Sequence, residues 1–269
     1  MRDKETRMLH NKIIAVSGIG PGLGVKLAVE AARAGAAGLV ISARSPDKLD
    51  DAEQRIRDVN PDCAILKQPT DITDAGACQA LVDAAVARFG RIDGLVNSAF
   101  VHGAMDHAST ADIDSWMEPI GTNLFGTLRL TQAVARQMQQ QRDGAIVMIN
   151  TMAVRKVPPV GEAGYAASKA ALATSVKYLA KELGPDNIRV NTVHMGWMWG
   201  APVQGYVQWQ AQQSGIAEDD IKGQIAASIP LGIVPPDEEC ARAALFFVSD
   251  YSRVVTGAAL DVNGGEYMP

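Results

Sequence analysis

Tyr165 and Lys169 stand four residues apart in the segment Tyr165-Ala166-Ala167-Ser168-Lys169. On a helix, this spacing puts both side chains on one face. A phenol with a pKa of about 10 exchanges protons poorly at neutral pH. A cation fixed beside it favours the phenolate and draws that pKa down. Such a tyrosine can pass a proton to or from a carbonyl or alcohol oxygen while another group moves a hydride. The pair alone is weak evidence, because Tyr and Lys often share a solvated helix face, so its meaning depends on the rest of the chain.

Far upstream lies Ser17-Gly18-Ile19-Gly20-Pro21-Gly22-Leu23-Gly24. The apolar run from Lys12 to Val16 before it reads as a buried parallel strand. After it, Leu27, Ala28, Ala31 and Ala32 fall at helical spacing. Strand, glycine turn and helix together let the backbone approach a pyrophosphate at a helix N-terminus. The spacing is Gly18-x-x-x-Gly22-x-Gly24, and no frame fits the G-x-G-x-x-G fingerprint. A flexible turn without a ligand is the alternative.

These residues need a scaffold. Apolar runs at 12–17, 38–42, 63–67, 93–97, 144–150, 188–193 and 258–262 predict strands. Helical patterns at 23–34, 46–58, 74–89, 112–141, 163–183 and 237–249 lie between them. Such alternation implies an α/β fold with a parallel sheet and helices on both faces. Ligands bind such a sheet beyond the carboxyl ends of its strands. Gly18 to Gly24, Asp71, Asn97, Thr151 and Gly196 all follow predicted strands and converge on that edge. Pro and Gly occur singly, and no linker divides the 269 residues.

With these motifs in order, the chain resembles the short-chain dehydrogenase/reductase family over residues 12–265. That family opens with T/S-G-x-x-x-G-x-G and later carries Y-x-x-x-K. Asp71-Ile72 matches its Asp near the adenine, and Asn97-Ser98-Ala99-Phe100 is similar to its N-N-A-G, altered at the second and fourth positions. Asn123 stands where the family has a catalytic Asn. Met195-Gly196 replaces its usual Pro-Gly, and Thr256-Gly257 and Asp261 to Gly265 resemble its last-strand region.

The resemblance implies a single-domain, Rossmann-like, doubly wound parallel sheet of about seven strands over residues 1–269. Residues 1–10 would form an N-terminal extension, and 197–229 a substrate lid. It further implies a cofactor set of Ser17, Gly18, Gly22, Leu23, Gly24, Arg44, Asp71, Ile72, Asn97, Ala99, Tyr165, Lys169 and Gly196. The catalytic set would be Asn123, Thr151, Tyr165 and Lys169, with Asn123 holding a water that links Lys169 to solvent. A homotetramer joined through helices 112–141 and 163–183 is also implied.

The second predicted strand bears on the cofactor. An acidic residue at its end would accept from the ribose 2′-OH of NAD. Here Ala43 is followed by Arg44, whose guanidinium suits the 2′-phosphate of NADP. The expected cofactor is NADP(H) rather than NAD(H), although Pro21 occupies the place of a second basic residue found in some family members. An Arg on the sheet rim with no phosphate role is the alternative.

The family's catalytic Ser usually lies 13 residues before the Tyr, and here that count lands on Met152. Aligning the strand instead puts Thr151 at that position, with one residue inserted in the loop of Pro158, Pro159 and Gly161. Threonine supplies the same donor and acceptor as serine. The ungapped alignment leaves no third hydroxyl, and Thr151 would then be a strand-end residue tied to the backbone.

The lid region carries Trp197, Trp199, Tyr206 and Trp209. It suggests a bulky apolar carbonyl or alcohol substrate such as a steroid, terpenoid, aryl ketone or acyl chain. The same residues could simply pack the lid on the body. His102 and His107 could border the site, or be ordinary loop histidines. A hydrophobic content of 47% and a net charge of −5 indicate a globular protein without general nucleic-acid affinity. Cys63, Cys78 and Cys240 have no metal or disulfide spacing. No run approaches the ~20 apolar residues that span a membrane, and no signal peptide is visible. A cytoplasmic location is expected. A catalytically silent NADP-binding regulator on the same scaffold is the rival reading.

Overall fold

Short runs of Ile, Val, Leu and Ala become strands, and the inner ones are buried because helices cover both faces. The computed structural model describes residues 8–158 and 161–269. Residues 1–7 of the expected extension, and Pro159 of the expected insertion loop, lie outside the described residues. In chain order the strands are β1 (Ile13–Ser17), β2 (Gly38–Ala43), β3 (Ala64–Pro69), β4 (Gly94–Asn97), β5 (Gly144–Thr151), β6 (Ile188–Met195) and β7 (Ala259–Val262). They form one seven-stranded sheet, all parallel, in the order β3-β2-β1-β4-β5-β6-β7. All seven predicted strands are present, with small shifts at their ends.

The helices are α1 (Leu23–Arg33), α2 (Pro46–Val59), α3 (Ala75–Phe89), α4 (Thr127–Gln141), α5 (Ala163–Leu183), α6 (Ala201–Ser214), α7 (Glu218–Ala227) and α8 (Asp237–Leu245). Helices α1, α2 and α8 cover one face, where Leu27, Ile56 and Leu245 meet Val16, Ile41 and Val147. Helices α3, α4 and α5 cover the other, where Val82, Leu130 and Val176 meet Ala15, Leu95 and Ile146. The strand order reverses between β1 and β4. Outgoing connections part there and leave a crevice at the carboxyl ends.

Two regions differ from expectation. The segment 112–141 is not one helix. It enters through a tight turn at Ile113–Trp116 and a short helical piece at Met117–Pro119, then widens to i→i+5 turns over Ile120–Gly126 before α4 begins. Pro119 lacks the N–H that a regular ladder would use. The wide turns coincide with Asn123, and such insertions commonly occur at functional positions. The lid region, for its part, contains α6 and α7. Pro202 near the start of α6, Gly215 at φ 71° after its end, and three acidic residues in the first turn of α7 are the signals that mark them. Among the described residues no helix is long and apolar enough to cross a membrane.

Candidate active site

A cleft of about 730 Å³ runs along the carboxyl edge from the glycine turn to the lid. Gly18 has φ +84°, and a Cβ there would lie 2.2 Å from the Ala99 nitrogen. A Cβ on Gly24 would lie 2.0 Å from the Gly18 oxygen. Only glycine lets the turn fold this closely. The N–H groups of Gly18 and Ile19 both donate to the Ser42 carbonyl, which fixes the turn on β2. Helix α1 starts after Gly22 with no side-chain cap, so its first N–H groups are not taken by a capping side chain.

Gly18, Gly22, Leu23, Gly24, Arg44, Asp71, Ile72, Ala99 and Gly196 all line this cleft. Asp71 accepts from the backbone and hydroxyl of Thr73 at 2.9 and 2.7 Å. Those bonds hold its carboxyl below the usual range, with help from Arg44. Lys48, which no sequence motif marks, lies early in α2 and joins Arg44 in the lining.

Ser17 and Asn97 are placed differently. Both are buried, and neither is among the lining residues. The Ser17 hydroxyl donates to Asn97 Oδ1 at 3.4 Å, and Asn97 Nδ2 donates to Thr131 at 3.0 Å. Their side chains tie β1, β4 and α4 together beneath the cleft.

At the reacting end, Thr151 closes β5 and Tyr165 and Lys169 project from α5. The Thr151 hydroxyl accepts from the Ala153 N–H at 3.2 Å and lies near enough to the Tyr165 phenol to favour its ionised form. The hydroxyl that meets the phenol is therefore that of Thr151. Met152 is buried, 7% exposed, although it also borders the cleft.

Lys169 shares this part of α5 with Tyr165, and its ammonium is engaged by the backbone. Its Nζ donates to the Ile149 carbonyl at 2.8 Å and stands 6.0 Å from the phenol ring centre. Burial pushes the ammonium down to about 7. Burial, and then Glu162, push the phenol above its usual range, which the Thr151 hydroxyl partly offsets.

Asn123 lies within the wide turns that precede α4. Its side chain is fully buried and engaged with protein: Oδ1 accepts from Val101 N–H at 2.8 Å, and Nδ2 donates to the Val101 carbonyl at 2.9 Å and the Ser168 hydroxyl at 3.0 Å. It clamps the loop after β4 to α5.

Of the four lid aromatics, Trp197 and Tyr206 line the cleft, with ring centres 5.5 Å apart. Trp199 instead packs under Lys222, 3.9 Å from its ring centre, and Trp209 is 58% exposed. Phe100, Met105 and Glu162, to which the motifs assign no role, line the cleft as well, and so does His102. The altered fourth position of Asn97-Ser98-Ala99-Phe100 is the one sequence signal for Phe100. His107 is exposed and outside the lining.

The turn after Thr151 is moored to β6, β7 and the segment after β7. Arg155 Nε donates to His194 Nδ1 at 3.2 Å and pairs with Asp261 at 3.0 Å. His194 and Asp261 face each other in register on β6 and β7. Lys156 pairs with Glu266 at 3.1 Å. Burial, and then Arg155, push His194 down to about 4, so its imidazole is neutral and able to accept.

The chain is similar to known proteins along nearly its whole length. The family profile described as enoyl-(acyl carrier protein) reductase matches residues 18–266. The chain is 29% identical over 262 residues to the 3-oxoacyl-(acyl-carrier-protein) reductase FabG of Staphylococcus aureus, covering 97% of this chain and 100% of that protein. It is 31% identical over 257 residues to the 3alpha-hydroxysteroid dehydrogenase of Mediterraneibacter gnavus, covering 96% and 97%. Among solved structures it is similar to the carveol dehydrogenase of Mycobacterium avium in complex with NAD, with a TM-score of 0.88, 25% identity, and coverage of 97% and 99%.

Proposed function

The chain belongs to the short-chain dehydrogenase/reductase family of oxidoreductases, and from that premise we propose that it moves a hydride between NADP(H) and a bulky, largely apolar secondary alcohol or ketone. The observation that carries this reading is the meeting of Thr151, Tyr165 and buried Lys169 at one end of a cleft whose other end is the glycine turn. The turn fits a dinucleotide, because its close backbone approach excludes any Cβ at 18 or 24.

Gly18, Gly22, Leu23 and Gly24 would hold the pyrophosphate through backbone N–H groups. Arg44, with Lys48, would hold a 2′-phosphate, and Asp71 and Ile72 the adenine. Ala99 and Gly196 would border the nicotinamide, and Tyr165 and Lys169 its ribose. When bound, the nicotinamide supplies or accepts the hydride.

Tyr165 donates its proton to the substrate oxygen as negative charge develops there. Thr151 donates a hydrogen bond to the same oxygen and stabilises that charge. Lys169, held by Ile149, places a proton-bearing group beside the tyrosine. Asn123 keeps the two walls of this centre in register. In the oxidising direction each proton step reverses.

Phe100, Met105, Trp197, Val203 and Tyr206 give the substrate end apolar walls, which supports a bulky substrate. The relatives' names span a 3-oxoacyl chain, a hydroxysteroid and carveol, all with apolar bodies. The whole chain would work as one catalytic domain with residues 197–229 as its lid. Exposed Phe125, just before α4, and exposed Tyr178, on α5, support association into a homotetramer, which sedimentation would disprove by showing only a 28.5 kDa species.

The decisive measurement follows NADPH and NADH absorbance with a panel of steroid, terpenoid, aryl and acyl ketones. Turnover with at least one ketone, faster with NADPH, is expected. NADPH binding without turnover on any ketone or alcohol would instead make the protein a silent cofactor-binding regulator.

A further inference from the structure

His102 lies flat on Tyr165, with ring centres 4.4 Å apart and planes 15° from parallel. Its Nε2 is 3.2 Å from Oε2 of Glu162, whose side chain is 11% exposed. Glu162 immediately precedes α5, one turn before Tyr165. Phe100 closes another side, its ring centre 6.0 Å from the phenol and 6.4 Å from the imidazole. Proton transfer to substrate already has Tyr165, Thr151 and Lys169, so this pair is outside the machinery described above. Its position nonetheless gives it leverage. A carboxylate so close to a phenol opposes a second negative charge there.

We propose that Glu162 and His102 are positioning residues that hold the phenol ring of Tyr165 and set the charge it faces, so that the proton on this pair decides how readily Tyr165 becomes a phenolate. The proposal rests on the reading of Tyr165 as proton donor. The groups facing the phenol are His102 from the loop after β4, the Thr151 hydroxyl from the end of β5, and Glu162 and Lys169 at the start of and within α5. Lys169 is turned to the Ile149 carbonyl.

Burial pushes Glu162 up to about 7 and His102 below the usual imidazole range. Below that pH the pair is a carboxylic acid beside a neutral imidazole. Glu162 then donates its O–H to Nε2, and the ring hydrogen sits on Nδ1, which is buried without a protein partner among the described residues. Above that pH a carboxylate stands beside Tyr165 and disfavours its ionisation. The tyrosine is thereby kept in its proton-donating form, the form that carbonyl reduction uses.

The test uses the whole protein labelled with 3-fluorotyrosine and followed by fluorine NMR, with Tyr165→Phe assigning the resonance. In the unsubstituted protein this resonance should move in two steps, the first near pH 7 as Glu162 ionises. Glu162→Gln should abolish that first step and bring the second to lower pH by roughly one unit. With an active substrate, the pH profile of kcat for alcohol oxidation should shift the same way. A single step in the unsubstituted protein overturns the proposal, and this outcome needs no variant to fold. An unshifted second step in Glu162→Gln also overturns it. Absence of turnover with every substrate would count against the proposed function alone, because the NMR titration reads the pair independently.

Discussion

The two ends of the cleft are made of different material. Around the glycine turn the wall is backbone, fixed by N–H groups of Gly18 and Ile19 on the Ser42 carbonyl, with exposed cations only at the rim. Around Tyr165 the wall is side chains: buried Lys169, half-buried Glu162 and His102, and the Thr151 hydroxyl. Backbone walls accept any dinucleotide with a pyrophosphate, and choice between cofactors falls to the rim. Side-chain walls perform proton chemistry, and their tuning depends on which partners burial brings together.

The comparison breaks if substitutions at the two ends act alike. Tyr165→Phe should have the largest effect, lowering turnover by roughly 10²–10⁴ while NADPH affinity stays nearly intact. Fluorescence titration of NADPH beside steady-state kinetics measures both. Comparable losses in binding and turnover would show that the reacting end also holds the cofactor through this phenol.

Thr151→Ala should lose about 2.7–4 kcal/mol of transition-state stabilisation, while Thr151→Ser is tolerated because the hydroxyl survives. Single-turnover rates separate the two variants. A silent Thr151→Ala would restore the ungapped alignment and remove this hydroxyl from the chemistry.

At the other end, Arg44→Ala should weaken NADPH by about 1.5 kcal/mol or somewhat more, the value of one charge-assisted hydrogen bond, with kcat little changed. Lys48 remains at the rim and limits the loss. NADH affinity should barely move, and equal losses for both cofactors would show that the rim does not read the phosphate. The smallest effects belong to the lid. Trp197→Ala should raise KM for an apolar ketone several-fold, whereas Trp209→Ala, at an exposed position outside the lining, should leave kcat/KM unchanged. Equal effects at 197 and 209 would mean that the lid closes further than its present geometry.

The same contrast explains what the amino-acid sequence reveals and what it hides. A backbone site imposes glycine at fixed spacing, so Gly18, Gly22 and Gly24 are legible in the sequence alone. The buried strands β1, β2, β4, β5 and β6 give apolar runs, and shorter runs mark the partly exposed edge strands β3 and β7. Side-chain encounters between distant segments leave no such trace. His102 and Glu162 meet only because the loop after β4 lies against the start of α5. Ser17 and Asn97 escape the role expected of them because a polar residue at a strand end can point beneath the crevice as well as into it. The position of Asn123 is legible, but its local geometry is not, because wide turns have no hydrophobic period of their own.

Arg155 and Lys156 make the last strand and the tail part of the mounting of the active centre. A substitution that removes the Glu266 carboxylate acts on the turn that follows Thr151. Labels, surface tethers and immobilisation chemistry belong at the amino-terminal edge of the sheet, where exposed Pro61 and Asp62 lie between α2 and β3.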